Sequence, residues 1–402
     1  MYCTRNITDS IVWVGGSDRR LALFENLFPI PRGVAYNAYL ILDEKTCLMD
    51  TADASIRQQF IENVFAALNG RPLDYLVVNH MEPDHCANIE ELALRFPQMK
   101  IVGNVKTLNF IQQFYQLDLT DRFLTVTEKD TLSLGKHTLH FVFAPMVHWP
   151  EVMMSYEETE KILFSADAFG SFGAHNGTLF DDEIELDGEW LADARRYYTN
   201  IVGKFGVQVQ TALKKAAALD IRLIAPLHGN LWRSHIDFIL EKYQMWSTYT
   251  PEKNGALILY GSMYGNTENA ANVLAFKLAD KGIRDIQLYD VSNTHVSQLI
   301  AESFRYSHIV LAAPTYNNEI YPAMYNYLHD LKALNLQKRT IAIMENGTWG
   351  PLSGKLMSEF LQNIKDMTIL EPKVTIRSAL NDSSLDQLEA MAQSIAESIA
   401  QR

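Results

Sequence analysis

Residues 79–88 read NHMEPDHCAN, in which His80, Glu82, Asp84 and His85 place two imidazoles and two carboxylates within six positions. Imidazole nitrogens and carboxylate oxygens are the usual donors to transition-metal ions. Burying such groups together without an ion leaves charges that each need several partners. A lone histidine at a strand end is more often a hydrogen-bonded structural residue, but the cluster shifts that balance toward a metal site. Its remaining donors should come from other strand ends. His148 follows the apolar run LHFVFAPMV, Asp167 follows KILFSA and His228 follows LIAPL, each a single ligating side chain at the end of an apolar stretch. His137, His140, His175, His235, His295, His308 and His329 lack that context and read as surface or packing histidines. Cys86, directly after the cluster, reads as a small buried residue.

A second stretch carries different chemistry. SMYGNTE (262–268) lies between an apolar strand and a helix start, where backbone amides and the hydroxyls of Ser262 and Thr267 can cradle a phosphate. It holds no GK[ST] and no GxGxxG, which argues against a triphosphatase and a dinucleotide fold. A loop of hydroxyls and amides without Lys or Arg suits a cofactor monophosphate, although by itself it also reads as a plain turn. Two further strand ends, PTYNNEIYP (314–322) and ENGTWGPLSGK (345–355), follow the third and fourth strands of the second half, where such a sheet binds the rest of its ligand. The candidate contacts are Ser262, Met263, Tyr264, Gly265, Asn266 and Thr267 in the first loop and Pro314, Thr315, Tyr316 and Asn317 in the second. The third loop offers Asn346, Gly347, Thr348, Trp349 and Gly350, with Tyr316 and Trp349 as ring-stacking candidates.

The elements that must position these residues fall into two halves. Short strands interrupted by helices fill residues 1–250. AYNAYLILD (35–43) and TCLMDTA (46–52) read as neighbouring strands, LDYLVVNH (73–80) and KIVGN (100–104) as further strands, and SIRQQFIENVFAALNG (55–70) as a helix closed by Asn69–Gly70. Near TYTPEKNG (248–255) the texture changes to strict alternation. Strands ALILYGS, IQLYDV, HIVLAAPTY, TIAIMEN and KVTI alternate with helices, the last being SSLDQLEAMAQSIAESIA (383–400). That pattern predicts a doubly wound parallel sheet over residues 251–402, with ligands beyond the carboxyl ends of its strands. No internal repeat or low-complexity segment is present.

Bulk properties set bounds. A net charge of −13 argues against a nucleic-acid binder. No apolar run reaches the roughly 20 residues of a membrane span, and the N-terminus does not read as a signal peptide. Cys3, Cys47 and Cys86 cannot form a disulfide framework, so a reducing cytoplasm is the expected location.

His80-x-Glu82-x-Asp84-His85 followed by His148, Asp167 and His228 resembles the metallo-β-lactamase-like domain of the flavodiiron proteins, as do YNAYL (36–40) and SADAFGSFGA (165–174). The three loops of the second half resemble the FMN site of the flavodoxin-like domain in the same family. The resemblance spans the whole chain. It implies an α/β fold, an N-terminal αββα sandwich joined to a C-terminal flavodoxin-like parallel sheet. It further implies one iron on His80, Glu82 and His148, a second on Asp84, His85 and His228, and Asp167 bridging them. Zinc hydrolases of that fold carry histidine where this chain has Glu82; the anionic ligand should favour ferric iron. The activity implied is reduction of dioxygen to water, of nitric oxide to nitrous oxide, or both, with electrons passing through FMN from a separate donor such as rubredoxin. Ending at Arg402, the chain is expected to lack the rubredoxin extension of some relatives. A head-to-tail homodimer, or a dimer of dimers, is the expected assembly. Two other readings are a zinc hydrolase, which Glu82 and the flavin loops oppose, and a bare electron carrier, which the intact ligand set opposes. Selectivity between the two gases would lie around the ligands, with Phe24, Glu25, Asn26, Trp149 and Tyr198 as candidates.

Overall fold

The computed structural model describes residues 2–402. It forms two compact units. The first comprises the chain up to Tyr198 together with Val207–Gln244, and the second comprises Thr199–Gly206 together with Met245–Arg402. The short excursion Thr199–Gly206 belongs with the second unit, where Asn200 donates to Ser297 O (3.1 Å) and Tyr249 donates to Gly203 O (3.2 Å).

The first unit is built on two sheets. One runs, in spatial order, Arg5–Asn6, Ile11–Trp13, Tyr39–Leu42, Thr46–Met49, Tyr75–Val77, Lys100–Gly103 and Phe123–Thr125. The other runs Thr131–Ser133, Thr138–Phe143, Met153–Glu157, Ile162–Phe164 and Leu223–Ala225. Alternate side chains of the first sheet (Tyr39, Ile41, Cys47, Met49, Val77, Val102) meet Leu139, Phe141, Met153, Ile162, Phe164 and Ala225 of the second in one apolar core, as the period of two requires. Helices Arg57–Leu68 and Ile236–Ser247 are among those outside the sheets. The first ends as its sequence predicts, with Asn69 in the left-handed region (φ 46°) as its cap.

One predicted element is broken. AYNAYLILD forms two strands rather than one: Val34–Tyr36 pairs with Gly16–Asp18, and Tyr39–Leu42 joins the large sheet. The break falls at Asn37, whose amide donates to Pro226 O (2.9 Å) and Gly229 O (2.8 Å) and whose carbonyl accepts from Trp13 Nε1 (2.9 Å). The fully buried Asn37 thus ties the loop that carries His228 to the sheet.

The parallel pairings set the site. Thr46–Met49 runs parallel to Tyr75–Val77, so Asp50 and the His80 loop emerge at one end. Ile162–Phe164 runs parallel to Leu223–Ala225, which brings the loops of Asp167 and His228 together.

In the second unit the parallel sheet has the order Ile286–Asp290, Lys253–Tyr260, Tyr306–Tyr316, Arg339–Asn346, and both Met367–Ile369 and Val374–Ile376 pair with that last strand. This is the doubly wound arrangement expected from the strand–helix alternation. Helix Asn266–Asp280 packs its Ala270, Ala271, Leu274 and Leu278 into a core shared with the terminal helix Asp382–Ala400. No helix among the described residues is long and apolar enough to cross a membrane.

Candidate functional site

Seven side chains picked out in the sequence converge in the first unit. Donor atoms of His80, Glu82, His148 and Asp167 lie within 4.8 Å of one another, and so do those of Asp84, His85 and His228. Asp167 serves both groups. Its Oδ2 lies 3.3 Å from His80 Nε2 and 3.2 Å from His148 Nε2, while its Oδ1 lies 3.2 Å from His85 Nε2 and 3.7 Å from His228 Nε2. Glu82 Oε2 completes the first group at 3.2 Å from His80 and 3.0 Å from His148. Asp84 Oδ2 completes the second at 3.4 Å from His85 and 3.2 Å from His228. Donors about 2.1 Å from a common ion stand roughly 3.0–3.4 Å apart at octahedral or tetrahedral angles, the spacing of each of these pairs except Asp167 with His228.

Local structure explains the convergence. The turn after Tyr75–Val77 enters a one-turn helix, Pro83–Cys86, with proline at its start, and this helix carries the buried Asp84 and His85. Asp50 fixes the approach to that turn. Its buried carboxylate accepts from Asn79 N (2.6 Å), Asn79 Nδ2 (2.7 Å) and His80 N (3.2 Å), and Thr51 donates to His85 O (2.8 Å). Burial nonetheless pushes the Asp50 carboxyl up to about 6 against the pull of those amides. After His228, Gly229 takes a positive φ of 68° where a Cβ would strike Ser171. The loop can therefore turn directly behind its ligating residue.

The electrostatics is that of a pocket built around cations. His85 Nε2 and His228 Nε2 face each other at 3.0 Å, and the oxygens of Asp84, Asp167 Oδ1 and His85 Nδ1 are buried without a hydrogen-bond partner among the described residues. Desolvation opposes charge on His148, but its bonds to Asp167 and Glu82 win and raise it to about 9. The same competition raises His80 and His228 and holds Glu82 and Asp167 well below the carboxylate range. Without ions, protons on imidazoles must balance the carboxylates; divalent ions would displace them. The donor set and its orphaned atoms fit two metal ions.

The residues proposed as neighbours of the ligands divide. Phe24 packs edge-on to His228 at 5.4 Å and Trp149 edge-on to His80 at 5.5 Å. Glu25, in a left-handed turn (φ 51°), has its carboxyl raised to about 8 by partial desolvation and then by the Glu82 charge. Asn26 is exposed. Tyr198 packs on Tyr243 at 4.9 Å, whereas its neighbour Tyr197 is the one that meets His228, at 5.4 Å. The Tyr197 hydroxyl is buried and has no hydrogen-bond partner among the described residues. Asp50, Glu151 and Tyr197 join the site from outside the sequence candidates. The first two carry the same signal as the ligands, an acid at the end of an apolar strand or three residues beyond a ligand.

The second unit holds a cleft of about 350 Å³ at the carboxyl ends of its strands. It is lined by Ser262, Met263, Tyr264, Asn266, Thr267, Pro314, Thr315, Asn317, Asn346, Gly347, Thr348, Trp349 and Gly350 from the three predicted loops. Gly265 supplies the left-handed turn (φ 87°) that starts helix Asn266–Asp280, with its N–H on Ser262 Oγ (3.1 Å). Tyr316 stands outside the lining, edge-on to Tyr321. Ser378, absent from the sequence reading, joins the lining from the loop after Val374–Ile376 and bonds Thr348 (2.9 Å) and Asn346 (3.1 Å). That loop follows a strand end just as the other three do. Helix N-terminus, hydroxyls and a neutral lining suit a phosphate ester with a planar ring.

Comparison with known proteins agrees with this architecture. Residues 34–229 match the ODP family beta lactamase and residues 257–373 a flavodoxin domain. The chain is 31% identical over 397 residues to the nitric oxide reductase of Moorella thermoacetica, covering 98% of each. It is 32% identical to an uncharacterised protein of Methanocaldococcus jannaschii, covering 94% of each. Among solved structures, rubredoxin oxygen:oxidoreductase from Desulfovibrio gigas superposes with a TM-score of 0.92 at 30% identity, covering 99% of both chains. With both domain matches in order and relatives aligned along its whole length, the chain belongs to the flavodiiron protein family.

Proposed function

We propose that this protein is an oxidoreductase that reduces dioxygen to water, nitric oxide to nitrous oxide, or both, using two non-haem irons and FMN. The observation that carries the reading is Glu82. Its Oε2 stands 3.2 Å and 3.0 Å from the imidazoles of His80 and His148, so each group combines two imidazoles with a carboxylate of its own and a share of Asp167. That donor set suits redox-active iron with open positions. His80, Glu82 and His148 would hold one iron, Asp84, His85 and His228 the other, with Asp167 between them. When bound, the irons and the flavin supply stepwise electron transfer to a small diatomic ligand.

The chain's own residues supply the rest. Phe24, Trp149 and Tyr197 pack aromatic surface against the ligand imidazoles His228 and His80, which would help exclude water from the site. Burial, then the charge of Asp167, raises the Tyr197 phenol far above its ordinary value, so its hydroxyl keeps its proton and is available as a hydrogen-bond donor. In the cleft, Ser262, Thr267 and the first amides of helix Asn266–Asp280 would take the FMN phosphate, and the loops at Asn317 and at Gly347–Gly350 would take the ring. The name of the Desulfovibrio gigas relative points to rubredoxin as donor, and a head-to-tail homodimer is the assembly we propose.

The test is anaerobic turnover of iron- and FMN-loaded, reduced protein with each gas under identical electron supply. Consumption of at least one gas is expected. Failure with both, at full iron and flavin content, would refute the reading, and zinc in place of iron in the isolated protein would favour hydrolysis.

A further inference from the structure

We infer that Glu151 is a positioning residue for His80, and that its charge makes the His80–Glu82–His148 pocket the tighter and more electron-rich of the two metal sites. The inference rests on the two-metal reading above and adds an asymmetry to it.

Glu151 is buried, 1% exposed, and Oε1 lies 2.8 Å from His80 Nδ1 while also accepting from Met81 N at 2.8 Å. Its backbone is held too. Asn104 Nδ2 donates to Glu151 O (2.6 Å), and Asn104 Oδ1 caps the helix Val105–Phe114 through Lys106 N and Thr107 N. Because His80 turns Nε2 toward Glu82 and Asp167, a metal there leaves the ring proton on Nδ1, pointed at Glu151. A carboxylate in that position fixes the tautomer and ring angle and makes Nε2 a stronger donor.

The other buried ligand imidazoles have no such support. His228 Nδ1 faces a neutral carbonyl, Ala35 O, at 2.8 Å, and His85 Nδ1 has no hydrogen-bond partner among the described residues. Asp50, also buried behind the ligands, spends its hydrogen bonds on the amides of Asn79 and His80 rather than on an imidazole. A carboxylate therefore hydrogen-bonds the outer nitrogen of a ring in one pocket, and among the described residues none does so in the other.

Glu151→Gln separates charge from geometry. The amide oxygen can still accept from both N–H groups, and the new NH2 occupies the place of Oε2, which has no partner among the described residues. Glu151→Ala removes the hydrogen bond as well, and Glu151→Asp keeps the charge but withdraws it. The readout is Co2+ titration of the metal-free full-length chain, with FMN content and thermal melting as folding checks. The wild-type chain should bind two ions in unequal steps. E151Q should weaken the tighter step about 10- to 100-fold, leave the weaker step within about twofold, and leave FMN content unchanged. E151A should weaken the tighter step further and E151D fall between. In the iron-loaded protein, E151Q should raise the lower of the two iron midpoint potentials. An E151Q chain that binds both ions as the wild type does, or weakens both steps equally, overturns the inference and leaves Glu151 a structural anchor for Met81. Should E151Q fold poorly, E151D matching E151A in Co2+ affinity overturns it equally. Cobalt binding does not depend on gas chemistry, so a chain that binds cobalt unequally yet reduces neither gas would sink the proposed function and leave this inference standing.

Discussion

The two candidate sites solve opposite problems. The metal pocket gathers ionisable side chains in the interior, with His80, His85, Asp167 and His228 at most 1% exposed, and holds His80 and His85 through hydrogen bonds with Asp50, Glu151 and Thr51. The flavin cleft carries no acid, Lys, Arg or His in its lining, and its rim leaves Trp349 and Tyr264 90% and 91% exposed. A pocket of clustered carboxylates and imidazoles must exchange protons for cations, so its affinity should depend steeply on ligand identity and on pH. A neutral cleft works through amides, hydroxyls and shape, and its affinity should be spread thinly over many contacts.

The largest effect should come from the one residue shared by both groups. Asp167→Ala removes the oxygens that face all four imidazoles. Outer partners of metal ligands are worth about 10- to 100-fold in affinity, and a shared inner donor should exceed that. Iron content should fall to below about one per chain, and gas consumption by at least about a thousandfold, with FMN content unchanged. Elemental analysis and turnover check both; retention of both irons would dissolve the contrast between the sites.

Proton dependence should separate them next. In the metal-free chain His148 is raised to about 9 and His80 and His228 are raised as well. Metal must displace those protons, so affinity should fall by up to about tenfold per pH unit for each one as pH drops from about 9 to 7. The sign for stability is reversed. A raised histidine stabilises the metal-free fold fully below its unfolded value of about 6.5 and loses that contribution as pH rises through its folded value. Glu82 and Asp167, lowered in the fold, contribute constantly across this window. The metal-free chain should therefore melt at a lower temperature at pH 9 than at pH 6.5, while FMN affinity stays flat over pH 7–9. Melting with and without chelator, and flavin titration at each pH, test this; a flat metal affinity would mean that the imidazoles carry no protons to displace.

The same contrast explains what could be read from the sequence. Ligating residues after apolar runs are conspicuous because a charged side chain at the end of a buried strand needs a partner, and all seven converge. Asp50 escaped because TCLMDTA reads as one strand, whereas the strand stops at Met49 and Asp50 turns left-handed (φ 57°). Glu151 lies three residues beyond a ligand, but its role depends on a hydrogen bond across 71 positions of chain, and the spacing alone does not say which ring it meets. Tyr197 and Tyr198 are adjacent and both fully buried, so composition alone could not say which meets a ligand. In the cleft, strand–helix alternation located the loops, yet Ser378 lies beyond a three-residue strand and outside any motif.

The smallest of these effects probes how thinly the cleft spreads its affinity. Asn346 joins two loops of the lining: its amide donates to Thr267 Oγ1 (3.3 Å) and Ser378 O (3.0 Å), and its Oδ1 accepts from Ser378 N (3.1 Å). Asn346→Ala removes three neutral hydrogen bonds at about 0.5–1.5 kcal/mol each, but water reaches an open cleft and replaces part of them. The net loss should be about 1–2 kcal/mol, close to a tenfold rise in FMN dissociation constant, with metal content and its pH dependence untouched. Flavin fluorescence titration of the metal-loaded chain measures it. A loss as steep as that of Asp167→Ala would show that the cleft, too, hangs on a single residue, because a site whose contacts are interchangeable cannot fail at one of them.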